Sequence, residues 1–121
     1  MQASEYQQAT KQFAIYNPHS AIEYLGLGIA SEAGEVAGKV KKYVRGDYVV
    51  RDPIGEGLYN MHQDEGRLKQ DLAAEMGDVC WYVSQLCNEL GLSMEDVMQE
   101  NIDKLSDRKA RDKLKGSGDT R

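Results

Sequence analysis

Apolar residues recur at helical spacing along most of the chain, and two runs do so without interruption. In the first, Ala33, Val36, Ala37, Val40 and Val44 form one stripe. In the second the stripe is Leu68, Leu72, Met76, Val79, Val83, Leu86 and Leu90. Each matches the three-and-four spacing of an amphipathic helix. Boundary residues mark where the helices begin and end. Ser4 with Gln7 three later reads as a capping box, opening a first helix that runs to about Tyr16, where Asn17-Pro18 stops it. Ser20 with Glu23 opens a long second helix, closed by Gly46-Asp47. The third runs from about Glu65 to Leu90, with Gly91 behind it, and Ser93 caps the fourth. The pattern predicts an all-α bundle of about four main helices.

Residues 46–66 break the helical period. Tyr48-Val49-Val50 reads as a short strand, Pro53, Gly55 and Gly57 as punctuation, and Leu58 to Met61 as a return. The expectation is a long loop or small hairpin, either a lid or a surface connector. The division expected is one helical domain over residues 1–115 and a Gly/Ser-containing tail at 116–121, flexible by composition.

Acidic residues change the picture. Glu32 and Glu35 lie three apart in the second helix, and Glu75 and Asp78 three apart in the third. Residues at that spacing point about 60° apart, so each pair shares a face. Both pairs flank an apolar stripe instead of opposing it. If the stripes pack together, four carboxylates converge at the rim of the core. Left alone they would repel one another and suffer desolvation. A hard divalent cation relieves both, and Mg²⁺, with Mn²⁺ as a substitute, suits an all-oxygen donor set. A single pair of this kind usually marks a solvated face; two pairs hugging apolar stripes are more telling.

Cations continue the pattern. Lys39 and Lys42 follow Glu32 and Glu35 along the second helix, where they also suit the negative end of the helix dipole. In the fourth helix Asn101, Lys104 and Arg108 fall within about 60° of one another, beside the stripe Val97, Met98, Ile102 and Leu105. Acids for a metal with cations beyond them match a metal-chelated phosphate chain, and the chemistry indicated is metal-assisted hydrolysis of a phosphoanhydride. Gly34, Gly38 and Gly77 sit among the acids; they are read either as points of close approach or as ordinary tolerated helix glycines.

Composition narrows the classes. A net charge of −5 argues against a general nucleic-acid binder. No apolar run is long enough to span a bilayer, and no secretory signal is recognised, so the expectation is a cytoplasmic protein with no membrane partner. Cys80 and Cys87 read as reduced core residues, and His19 and His62 as ordinary surface or loop histidines.

With these residues in place, the chain resembles the MazG-type all-α nucleoside triphosphate pyrophosphohydrolases. The likeness rests on Glu32-Ala33-Gly34-Glu35-Val36, on Glu75-Met76-Gly77-Asp78-Val79-Cys80-Trp81-Tyr82, and on Asn101-Ile102-Asp103-Lys104-Leu105 with Arg108. It covers most of the chain from about residue 20. The resemblance implies a helical bundle assembling as a homodimer or dimer of dimers, and hydrolysis of an NTP or dNTP to the monophosphate and pyrophosphate. It makes Glu32, Glu35, Glu75 and Asp78 the ligands of Mg²⁺ and the catalytic set, with metal-activated water attacking the α-phosphorus and Glu35 helping to activate it. Lys39, Lys42, Asn101, Lys104 and Arg108 become substrate contacts. The long connection at 46–66 departs from the family pattern. The competing reading is a non-catalytic helical dimerisation or metal-binding module. A di-iron bundle would need Glu-x-x-His motifs, which the acidic pairs lack.

Overall fold

The computed structural model describes residues 1–121. Four helices appear in order: α1 (Ala3–Thr10), α2 (Ala21–Arg45), α3 (Glu65–Leu90) and α4 (Met94–Ala110). Between α2 and α3 lies an antiparallel hairpin of β1 (Val49–Gly55) and β2 (Leu58–Gln63). The fold is therefore mostly helical and not strictly all-α. Segment 46–66 takes the hairpin alternative, because Gly57 at φ 70° turns the chain and Val49 to Pro53 then pair with Gln63 to Tyr59.

Local signals set most boundaries. Gly46 (φ 94°) and Gly91 (φ 66°) end α2 and α3 in the left-handed conformation that glycine adopts without strain. The Asp64 carboxylate accepts from Arg67 N–H at 2.9 Å, and Ser93 Oγ accepts from Asp96 N–H at 3.2 Å.

The first helix departs from expectation at both ends. It starts at Ala3, capped by Gln2, whose N–H donates to Glu5. Gln7 does not reach back to Ser4. Its amide donates to Asn88 Oδ1 and to Leu92 O, and accepts from Met94 N–H, tying α1 to the turn between α3 and α4. The helix stops at Thr10, continued only by a 3₁₀ turn, Lys11–Phe13. Beyond it Tyr16 turns onto Trp81 and Tyr24, and its hydroxyl donates to Glu89 at 2.7 Å. Similarly, Ser20 makes no side-chain cap; a 3₁₀ turn, Pro18–Ser20, capped by Asn17, feeds α2 directly.

Helices α2 and α3 form the main antiparallel pair. Gly28 meets Tyr82 near one end, and Lys39 meets Glu75 farther along. These contacts fix which faces look at each other, and the apolar stripes are not among them. Each stripe lies roughly a quarter-turn around its helix, and in an antiparallel pair both rotations lead to the same side. Part of this side stays open, with Val40 44% exposed, Val44 78% and Met76 54%, while Val36, Leu68, Leu72, Val79, Val83 and Leu86 are half-buried. The faces bearing the acids make the seam, and the stripes flank it on one side. Only nine residues are buried, among them Leu25, Ser84 and Gln85. Thr10 and Ser84 share a buried hydroxyl–hydroxyl hydrogen bond of 2.8 Å. No helix is long and apolar enough to cross a membrane.

Candidate metal and phosphate site

The α2–α3 seam assembles the acids. One carboxylate oxygen from each of Glu32, Glu75 and Asp78 lies within 4.8 Å of the others. Glu32 and Glu75 are half-buried and Asp78 is exposed. Burial, followed by the charges of Asp78, Glu75 and Glu35, raises the Glu32 carboxyl above its ordinary value. Glu35 lies outside the triple, exposed on α2, though its charge is felt there. The donor set is entirely oxygen, with no thiol or imidazole, so it could hold a hard divalent cation.

Lys39 supplies the nearest positive charge. Its ammonium lies 3.2 Å from Glu75 Oε1, and this pairing holds Lys39 above its usual range. Farther along α3, Asp71 accepts from the hydroxyl of buried Tyr48 at 2.5 Å, and the Arg67 guanidinium lies 4.7 Å over the Tyr48 ring. These contacts anchor the base of the hairpin beside the seam. Lys42 is exposed and makes no ion pair.

The other side of the cluster is aromatic. Tyr82 and Trp81 pack edge-on at 5.0 Å, Tyr24 lies 6.1 Å from Tyr82, and Tyr16 joins Tyr24 and Trp81. The neighbouring Tyr24 hydroxyl and burial push the Tyr82 phenol up to about 12. This cluster depends on Gly28, because a Cβ there would overlap the Tyr82 ring. Sequence reasoning singled out Gly34, Gly38 and Gly77 instead. All three face open space within the chain, so none marks a close approach between helices of one chain. Only a glycine within the apolar run of α2 hinted at Gly28, and nothing local named Tyr82 as its neighbour.

Asn101, Lys104 and Arg108 are not gathered with the acids. Helix α4 packs mainly on α1, and Lys104 and Arg108 are both paired with Asp119 of the tail, 3.2 Å away in each case. Asn101 is exposed and lines a shallow recess with Val97, Glu100 and Lys104. A second recess, apolar and of about 310 Å³, opens between α1, α3 and α4, lined by Tyr6, Cys80, Met94 and Met98.

The family model described as the MazG nucleotide pyrophosphohydrolase domain matches residues 20–111. The chain belongs to this family. The MazG match contains all four acids and the Asn101–Arg108 segment, and ends before the tail. Among similar relatives is the Gene 37 protein of Mycobacterium phage L5, 39% identical over 127 aligned residues that span all of both chains. Another is the uncharacterized protein YvdC of Bacillus subtilis (strain 168), 34% identical over 93 residues, 77% of this chain and 76% of the relative. No solved structure matches the chain. Membership in the MazG family makes a role in nucleotide pyrophosphate hydrolysis the coarse expectation for the acidic seam.

Proposed function

We propose that the protein is a magnesium-dependent nucleoside triphosphate pyrophosphohydrolase, converting an NTP or dNTP to the monophosphate and pyrophosphate. The observation that carries this reading is the convergence of Glu32, Glu75 and Asp78 within 4.8 Å in a MazG-family chain. Those three residues, with Glu35 a turn along α2, would hold Mg²⁺, or Mn²⁺ in its place. When bound, the metal supplies charge neutralisation to the phosphates and acidity to a water attacking the α-phosphorus. Glu35, outside the close triple, is the carboxylate best able to orient that water. Lys39 balances Glu75 in the resting chain and would turn its ammonium to a phosphate oxygen when substrate arrives, with Lys42 beyond it.

The α4 residues Asn101, Lys104 and Arg108 would act on the phosphates through assembly. Val40, Val44 and Met76 stay exposed along α2 and α3, and an apolar strip of this kind marks an interaction surface. A second copy covering it would give a homodimer, or a dimer of dimers, in which one subunit's α4 can serve the other's acids. The unbridged cysteines fit a cytoplasmic setting.

The test is a pyrophosphate-release assay over all ribo- and deoxyribonucleoside triphosphates, with and without Mg²⁺, identifying the nucleotide product. Metal-dependent monophosphate and pyrophosphate are expected. Nucleoside diphosphate and orthophosphate would move the cut to the γ-phosphorus and overturn the assignment. Metal binding without turnover of any triphosphate would favour a non-catalytic helical dimerisation or metal-binding module.

A further inference from the structure

The chain reverses after α4. Asp112 (φ 55°), Gly116 (φ 136°) and Gly118 (φ 80°) all take the left-handed conformation, and the tail returns along the helix it has just left. It lands on Arg108, which is only 4% exposed. One terminal nitrogen of Arg108 donates to Gly118 O (3.3 Å), Asp119 O (3.0 Å) and Asp119 Oδ1 (3.2 Å). Lys104 Nζ donates to the same Oδ1 at 3.2 Å. Arg111 holds the end of the tail by donating to Arg121 O at 2.9 Å.

Two details make this more than a helix terminus. First, the guanidinium is left incompletely used: Arg108 Nε is buried and has no hydrogen-bond partner. A carboxylate seated for its fork would normally engage both edges. Asp119 instead offers a single oxygen, shared with Lys104. Second, the burial is lopsided. The Arg108 side chain is 5% exposed whereas that of Asp119 is 83% exposed. A buried cation is thus capped by an anion that solvent and solutes can reach.

We propose that Arg108 and Lys104 form a phosphoryl-binding site that the chain closes on itself, with the Asp119 carboxylate standing where a phosphoryl oxyanion would bind. That the anion is the pyrophosphate portion of substrate or product rests on the pyrophosphohydrolase reading above. A phosphoryl group brings more charge than a carboxylate and enough acceptor oxygens to serve Arg108 Nε, the terminal nitrogen and Lys104 together. Asp119 has the advantage of its tether, which gives it an effective concentration on the order of millimolar. Anion and tail therefore compete, and the apparent affinity for the anion falls by the fraction of chains whose tail is lifted.

The probe is inorganic pyrophosphate, titrated into the full chain with EDTA present so that the acidic seam does not contribute through metal. Amide resonance positions of residues 116–121 report the tail, and calorimetry gives the dissociation constant. Pyrophosphate is expected to move the tail's resonances to free-chain positions. Asp119→Asn, which keeps shape and an acceptor oxygen, should tighten pyrophosphate binding by about 3–10-fold as the closed fraction falls. Removal of residues 116–121 should act in the same direction, and Lys104→Gln should weaken binding in both backgrounds. A tail whose resonances keep their docked positions at saturating pyrophosphate overturns the proposal. So does unchanged or weaker binding in both Asp119→Asn and the truncated chain, since the tail would then be spare or part of the binding surface. None of these readouts needs turnover. Tail displacement in a protein that hydrolyses no triphosphate would sink the functional reading alone, and turnover with an undisturbed tail would sink this one alone.

Discussion

The acidic seam and the α4–tail unit carry opposite charges and are built in opposite ways. In the seam, two long helices face each other, a glycine admits an aromatic ring, and three carboxylates from separated stretches meet within 4.8 Å. In the α4–tail unit, a helix that packs mainly on α1 has its cations paired with residues 10 to 15 positions away in sequence. The seam leaves like charges crowded together, as shown by the raised Glu32 carboxyl. The tail leaves its charges paired, as shown by an Asp119 carboxyl held below its ordinary value of 3.8. Crowded like charge is unfavourable in a resting protein unless a counter-ion completes it. Paired opposite charge is stable until something displaces one partner. One region calls for a cation and the other already holds an anion.

The strongest way to break this contrast is to remove a charge from the seam. Glu75→Gln should reduce metal-dependent turnover by about 10²-fold or more, the scale of losing an electrostatic group that acts on the transition state. Far-UV circular dichroism and the tail's resonance positions should stay unchanged. Wild-type kcat/KM would remove Glu75 from the catalytic set. Next in size is Met76→Glu, on the exposed strip beside the seam. If a second copy covers this strip, a charge there should weaken self-association by about tenfold or more, read by analytical ultracentrifugation. A wild-type dissociation constant would place the interface elsewhere.

Gly28→Ala sharpens the comparison from the packing side. The added methyl would overlap the Tyr82 ring, so the helices must part or the ring must move. A loss of about 1–3 kcal/mol is expected, measured by denaturant unfolding and partly recovered by Tyr82→Leu. No loss would mean that the seam is softer than its geometry implies. The smallest effect is expected at the tail. Asp119 is held low by hydrogen bonds and charge from Lys104 and Arg108. Its contribution is present above pH 3.8 and is lost as pH falls through the lower folded value. The tail's amide shifts, followed by NMR, should move to free-chain positions only below that point. Release at higher pH would show that Asp119 is not what holds it.

Features carried by neighbouring residues were legible in the sequence. Gly46, Gly91 and Ser93 mark real boundaries because capping is a local hydrogen-bonding problem. Glu32, Glu75 and Asp78 were legible because helical periodicity fixes their faces, and the structure adds only that those faces meet. Gln7 misled because its amide is used for a tertiary contact with Asn88 and Met94, which outweighs a local cap. The stripes were legible as stripes, but periodicity does not say which side of a helix its neighbour will take. Lys104 and Arg108 were legible as a cationic face, while their partner Asp119 lay hidden in a tail whose composition signals only flexibility.

The hairpin has a kinetic meaning as well as a place in the architecture. Glu32 and Glu75 are 43 residues apart in sequence, and bringing them together requires closing the connection between two long helices. Val49 pairs with Gln63, Tyr48 O accepts from Asp64 N–H at 2.8 Å, and Gln63 donates to Tyr43 O at 3.0 Å, so this connection zips itself from turn to base. Each halving of a flexible loop saves only about 0.6 kcal/mol of closure entropy, but here most of the intervening chain is taken up by a local ladder. Hairpins form in about 1–10 μs. The helices are therefore delivered to each other by a fast, short-range event, and contacts that look distant in sequence behave in folding as near neighbours. Exchanging the hairpin for an unstructured linker of equal length would cost the protein chiefly in its refolding rate.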